Sequence, residues 1–222
     1  MARLKLARHV APYGRIGAGA VVGALAVLSA TAVAVFAATH PSPSTATPAG
    51  WIVAGTRPQD YEAGVDPAVT DSGKPTARLR ATVADPAGFV TLMQSISADR
   101  YRGQRVRFVG DIRVSNVVGW SALWMRVDGP CMRILAFDNA EKRAARGTTT
   151  WAAQPVVLDV PRDAEGISFG VLQSGKGEAW VSGLRLEPVA DTVPLTNMIP
   201  APTEHSCGPS APVNLALTPT GR

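Results

Sequence analysis

The middle of this sequence has no histidine. The three in the chain, His9, His40 and His205, all sit in its flanks. The body therefore cannot pair an imidazole with a serine or cysteine nucleophile. Cysteine is nearly as scarce: Cys131 and Cys207 are the only two, with no CxxC pair and no Cys/His cluster. That excludes a zinc site of ordinary spacing. Acidic residues are missing from the first 59 positions, which hold Arg3, Lys5, Arg8, Arg15 and Arg57. The formal net charge of +5 thus has a local origin, and residues 60–222 carry 17 basic and 17 acidic side chains. A phosphate-backbone groove has no electrostatic basis in such a body, so nucleic acid is left out of the expected partners.

Charge is also missing from residues 16–38, IGAGAVVGALAVLSATAVAVFAA, a run of 23. At about 1.5 Å per residue a helix of this length crosses a hydrocarbon core of about 30 Å. Four basic residues precede it, a flank that stays cytoplasmic and sends the rest of the chain outside. A cleaved signal peptide is the rival reading, with Val35-Phe36-Ala37 as the small-residue pattern. Both place the body outside the cytoplasm. The expected organisation is a basic stub at 1–15, a transmembrane helix or signal peptide at 16–38, and a Pro/Ser/Thr linker at 39–50. A folded domain at 51–196 and a poorly ordered tail at 197–222 with five prolines follow. Single-pass insertion of the helix makes the membrane an expected partner.

Within the body the apolar period is two. In RLRATV, Leu79, Ala81 and Val83 alternate with polar residues. In QRVRFVGDIRV, Val106, Phe108, Ile112 and Val114 do the same, as do Val156, Leu158 and Val160 in PVVLDV. Ile167 and Phe169 take one face of ISFGVL, and Trp180, Leu184 and Leu186 one face of EAWVSGLRLEPV. FVTLMQSISAD, 89–99, reads as a strand because of its β-branched residues. Turn signals at Asp85-Pro86, Arg102-Gly103, Asp128-Gly129-Pro130, Arg146-Gly147 and Ser174-Gly175-Lys176-Gly177 separate the runs. Short alternating strands between such turns predict an all-β domain, a sandwich or jelly roll.

Several stretches carry a resemblance: DYEAGVD (60–66), SGKPTARL (72–79), LMQSISADRYRGQRVRF (92–108), WSALWMRVDG (120–129), LAFDNA (135–140), GTTTWAAQPVVLDVP (147–161) and ISFGVLQSGKGEAWVSGLRLE (167–187). In order and spacing they resemble a galactose-binding-like jelly-roll domain of the carbohydrate-binding-module type. Such domains stand beside helix-turn-helix domains in some bacterial regulators. The resemblance covers about 140 residues and implies a jelly-roll β-sandwich. It implies no particular ligand. Two departures are visible: the apolar segment replaces a DNA-binding domain, and Trp180 is followed by Val181-Ser182-Gly183 where the family carries an acidic pair.

Strand parity sorts the stretch VVGWSALWMRVDGP, 117–130. Leu123, Met125 and Val127 form the natural inward set, because Arg126 and Asp128 would be costly to bury unpaired. Trp120, Trp124 and Arg126 then share the outer face. An indole stacks on the C–H face of a pyranose and a guanidinium donates to hydroxyls, so this face is a candidate sugar site, with Gln94, Asp138 and Asn139 as candidate neighbours. The competing reading has Trp124 covered and Arg126 paired with Asp138 or Asp128. Trp151 and Trp180 are expected in the core. Cys131 and Cys207 form a disulfide that staples the tail to the domain, or stand as two unrelated thiols.

No catalytic constellation is found. Asp60, Glu62 and Asp66 read as a polar loop near a structural calcium ion rather than as acid–base machinery, while no metal site or cofactor is assigned. GVLQSGKG, 170–177, falls short of the phosphate-loop spacing and reads as a strand hairpin. The expectation is a non-catalytic, membrane-anchored, extracytoplasmic binding module, with a glycan as ligand. The alternative is a structural or protein-interaction domain that meets an envelope protein.

Overall fold

Alternating sequence makes strands, and the computed structural model, which describes residues 46–200, has nine of them. They are β1 (Ile52–Gly55), β2 (Tyr61–Asp71), β3 (Lys74–Ala81), β4 (Phe89–Ser97), β5 (Gln104–Asp128), β6 (Ile134–Asp138), β7 (Ala145–Gly147), β8 (Ala152–Val160) and β9 (Gly166–Val189). The segment 16–38, the stub before it, most of the linker and residues 201–222 lie outside the described residues. Among the described residues no helix is long and apolar enough to cross a membrane.

All pairings are antiparallel, and they build a β-sandwich. The first sheet runs β1, β4, the first half of β9, the second half of β5, then β6. The second runs β2, β3, the second half of β9, the first half of β5, then β8. β5 and β9 are 25 and 24 residues long and serve both sheets. Sequence reading divided each into two strands; the chain does not stop between them.

The expected hairpin at GVLQSGKG is therefore corrected. Ser174–Gly177 stays inside β9, at the place where the β5–β9 ladder slips register between Ser115 and Val118 and passes from one sheet to the other. Such a bulge bends the pair and strengthens its twist. Glycine is required there: a Cβ on Gly175 would come within 1.8 Å of the Val118 carbonyl oxygen, and its φ is +84°. A hairpin and a bulge use the same residues, so composition alone does not separate them.

The inner faces carry the alternating residues. Val90, Leu92, Leu123, Met125, Val127, Ile167 and Val171 of the first sheet are fully or almost fully buried against Leu79, Val106, Phe108, Val114, Val156 and Leu158 of the second. The Phe108 and Phe169 rings meet at 5.0 Å between the layers. Burying each such side chain is worth about 1.5–3 kcal/mol. Leu123, Met125 and Val127 point inward as parity requires.

Trp151 and Trp180 depart from expectation. Trp180 is buried, but it stands opposite Arg78 and Arg113 on the outer face of the second sheet, and Trp151 is only half-buried. The cause is a second bulge: between Val109/Arg185 and Asp111/Ser182 β9 has one residue more than β5, so Trp180 faces away from Leu184 and Leu186. The acidic patch also disperses. Asp60 pairs with Arg57, Glu62 with Arg80 at 2.7 Å, and Asp66 accepts the Trp180 indole N–H at 2.9 Å. Among the described residues no group of three or more His, Cys, Asp or Glu side chains could hold a metal ion.

Residues after β9 form a strap along the open side of the sandwich. Thr196 donates its N–H to Val157 of β8, and Met198 donates to Phe137 of β6. The end of the expected domain is thus tied to the second sheet, and Asn197 and Met198, the start of the expected loose tail, to the first. Cys131 is disulfide-bonded; Cys207, the other cysteine of the sequence, lies outside the described residues.

Two outcomes test this frame. Gly73 has a φ of +81° and open space around a Cβ, so Gly73→Ala should cost about 1–2 kcal/mol in denaturant unfolding. Gly175→Ala, which adds a backbone clash, should cost about 3 kcal/mol or more; equal costs would contradict the bend. Burial pushes the Asp66 carboxyl up, but the Trp180 indole, the backbone N–H of Ala68 and the Arg78 charge together hold it below its ordinary value. A depressed carboxylate stabilises above the unfolded pKa of about 3.9 and loses that stabilisation as pH falls through the folded value. Unfolding followed by circular dichroism should show this acid loss in the native chain and a smaller one in Asp66→Asn.

Candidate functional site: a groove on the outer face of the first sheet

Outer-facing residues of the first sheet line up in cross-strand rows. Phe89 faces Ser174, which faces Trp120; Met93 faces Gly170, which faces Trp124; Ser168 faces Arg126, which faces Phe137. Directly opposed residues share a face, so these side chains form one surface.

Trp124 is set by a hydrogen bond that spans the sheet. Its indole Nε1–H donates to Thr91 Oγ1 at 2.7 Å. Thr91 lies on β4 and Trp124 on β5, with β9 between them. The indole therefore lies across β9 in the row where Gly170 has no side chain. A Cβ on Gly170 would come within 2.3 Å of the Leu92 carbonyl oxygen. Thr91 completes the relay by donating to the carbonyl of Val171 at 2.8 Å. The indole is 8% exposed, with its polar edge satisfied.

Around this floor lies a cavity of about 590 Å³, lined by Phe89, Met93, Trp120, Trp124 and Phe137, with Thr56, Arg126 and Asn139 as polar groups. Arg126 Nε lies 2.9 Å from Asp128, and its side chain stays 41% exposed. Its terminal nitrogens make no hydrogen bond among the described residues. Asn139 lines the cavity and accepts the N–H of Glu141 through Oδ1. Both features of the structural reading are present, a covered Trp124 and an ion-paired Arg126. Both residues nevertheless line an accessible groove.

Of the six expected site residues, the structure brings together Trp120, Trp124, Arg126 and Asn139 and removes Gln94 and Asp138. Gln94 faces Phe169, a core residue, and donates to the carbonyl of Gly50. Asp138 faces Met125, is fully buried, pairs with Arg143 and accepts the N–H of Ala140. Each is one step out of register with the groove, and one step reverses the face. Sequence reading missed Phe89, Thr91 and Met93, although the alternation was there: Val90 and Leu92 point inward, so their neighbours point out. Phe137 was missed because β6 is short and its partner on β5 could not be assigned.

No histidine occurs within 46–200. Among the described residues the groove thus has no nucleophile–imidazole pair.

No family model matches the chain. A curated Bacillus subtilis (strain 168) protein, the uncharacterized HTH-type transcriptional regulator YbfP, is 40% identical over 150 residues, 67% of this chain and 51% of that protein. The chain spans about half the length of this curated relative. Among solved structures, a bacteriophage CBA120 tailspike protein 4 domain is similar with a TM-score of 0.49 and 11% identity, over 64% of this chain and 20% of that one. The CBM22-1 xylan-binding domain of Paenibacillus barcinonensis Xyn10C is similar with a TM-score of 0.45 and 13% identity, over 66% of this chain and 90% of that one. The relative overturns the exclusion of nucleic acid. That exclusion rested on the neutral charge of residues 60–222, which says nothing of what another part of a longer regulator contacts.

Proposed function

We propose that the sandwich is a non-catalytic binding module of jelly-roll type whose ligand is a glycan lying in the groove of the first sheet. The observation that carries this reading is the joint presence of Trp120, Trp124, Phe89 and Phe137 in one open cavity with Arg126 and Asn139. Aromatic faces suit the C–H faces of sugar rings, while a few directed donors select hydroxyl geometry. Trp124 is already immobilised by Thr91, so binding orders little at the floor. An extracytoplasmic, membrane-tethered setting belongs to the same proposal and rests on the sequence of 16–38.

A second reading is favoured by the Bacillus subtilis relative: the same groove senses a ligand on behalf of a DNA-binding regulator. A mobility shift of duplex DNA by the full chain, weakened by added salt, supports that reading.

Titration calorimetry of the full chain against neutral oligosaccharides tests the glycan reading. Trp120→Ala, at the half-buried rim, should weaken binding at least about tenfold, a loss of about 1.4 kcal/mol, with an unchanged circular dichroism spectrum. An unaltered affinity places the ligand elsewhere. Thr91→Val leaves the buried indole N–H without an acceptor and should cost about 1–3 kcal/mol of stability, read from denaturant unfolding. It should also weaken the ligand by loosening the floor.

A further inference from the structure

The outer face of the second sheet carries a different pairing of aromatic rings with a cation. Arg78 faces Trp180, and Trp180 faces Arg113. Trp151 immediately precedes Ala152, which faces Ile112, so it flanks Arg113 from the other side. The Arg113 guanidinium carbon lies 4.4 Å from the Trp180 ring centroid and 5.3 Å from that of Trp151. Both distances are within cation–π reach.

Arg113 differs from the other half-buried arginines in lacking an acid. Arg78, Arg80, Arg105, Arg107, Arg126 and Arg133 each have a carboxylate within 4.0 Å. Half-buried Arg113 has none and makes no hydrogen bond among the described residues, its contacts being the two rings. The clamp itself is fixed. Trp180 is anchored to Asp66, and the loop before Trp151 is tied down where Thr148 and Thr149 hydroxyls accept the N–H groups of Asn116 and Val114. A cavity of about 400 Å³ opens over Arg113, lined by Ser115, Thr148, Thr149, Thr150, Trp151 and Trp180. A guanidinium held edge-free between two indoles presents its N–H fork with little ordering cost, and that fork matches a planar oxyanion.

We propose that this cavity is a second ligand site, independent of the groove on the first sheet, and that it takes a saccharide bearing a carboxylate, a uronic acid residue. The carboxylate accepts the Arg113 fork, the hydroxyls meet Ser115 and the threonines, and the sugar ring rests on Trp151.

The test titrates the full chain by calorimetry with an oligogalacturonate, a neutral oligogalactoside of the same length, and inorganic phosphate. The acidic oligosaccharide should bind at least about tenfold more tightly than phosphate. Arg113→Gln should weaken the acidic oligosaccharide at least about tenfold, as should Arg113→Lys, which keeps the charge and loses the fork. The neutral oligosaccharide, which suits the first groove, should bind these variants as it binds the unaltered chain, which separates the two sites. Phosphate binding as tight as the uronate, an unchanged oligogalacturonate affinity in Arg113→Gln, or an equal loss of both sugars in that variant would overturn the proposal. Should the Arg113 variants fail to fold, nuclear magnetic resonance of the unaltered chain decides: the Trp151 indole N–H signal must shift on titration with the oligogalacturonate, and a stationary signal overturns the site.

Discussion

The pairing of β5 with β9 governs the rest of the structure. In an ordinary sandwich two sheets meet through side chains alone. Here the same two strands sit at the centre of both layers and carry backbone hydrogen bonds from one into the other. The apolar core fills the space between the layers, but the covalent continuity of these strands sets their relative placement. The glycines at the crossing follow from that continuity, because two backbones bending together leave no room for a Cβ at Gly175 or Gly177.

The two candidate sites depend on the same pair. β9 supplies Gly170 beneath the Trp124 indole in one half and Trp180 beneath Arg113 in the other. β5 supplies Trp124 and Arg126 in one half and Arg113 in the other. The sites differ in how their cation is balanced. Arg126 is held by Asp128 and leaves mostly apolar rings to face a ligand, whereas Arg113 has only rings for company and offers its charge. A neutral sugar suits the first arrangement and an acidic one the second.

The core was legible because burial on one face leaves period two in the sequence. Leu123, Met125 and Val127, or Val106, Phe108, Ile112 and Val114, could be placed inward without coordinates. The face of Trp120, Trp124 and Arg126 followed from the same parity. Parity fails when it must be carried across a bulge, since each extra residue reverses it. Trp180 was misplaced for that reason. Gln94 and Asp138 were misplaced for another: each lies on a different strand from Trp124, and the register between strands is a tertiary fact that local sequence does not encode. Arg113 gave no local signal, because its lack of an acidic partner is visible only once its neighbours are known. Charge counting misled in a further way, by treating a property of one segment as a statement about every partner of a longer relative.

The order in which the chain is made gives the central position of β9 a further meaning. β9 begins at Gly166, behind every other strand. As the polypeptide emerges, β1 can find β4, β2 can find β3, and β5 can find β8, each as a separate ribbon. None of these ribbons can join another until β9 arrives to lie between β4 and β3 and alongside β5. Until then β4, β3 and β5 present unpaired edges of just the kind that recruit strands from neighbouring chains. The nascent protein is therefore most vulnerable to aggregation late in its synthesis, and anything that shields those edges until residue 189 has been added favours the native sandwich.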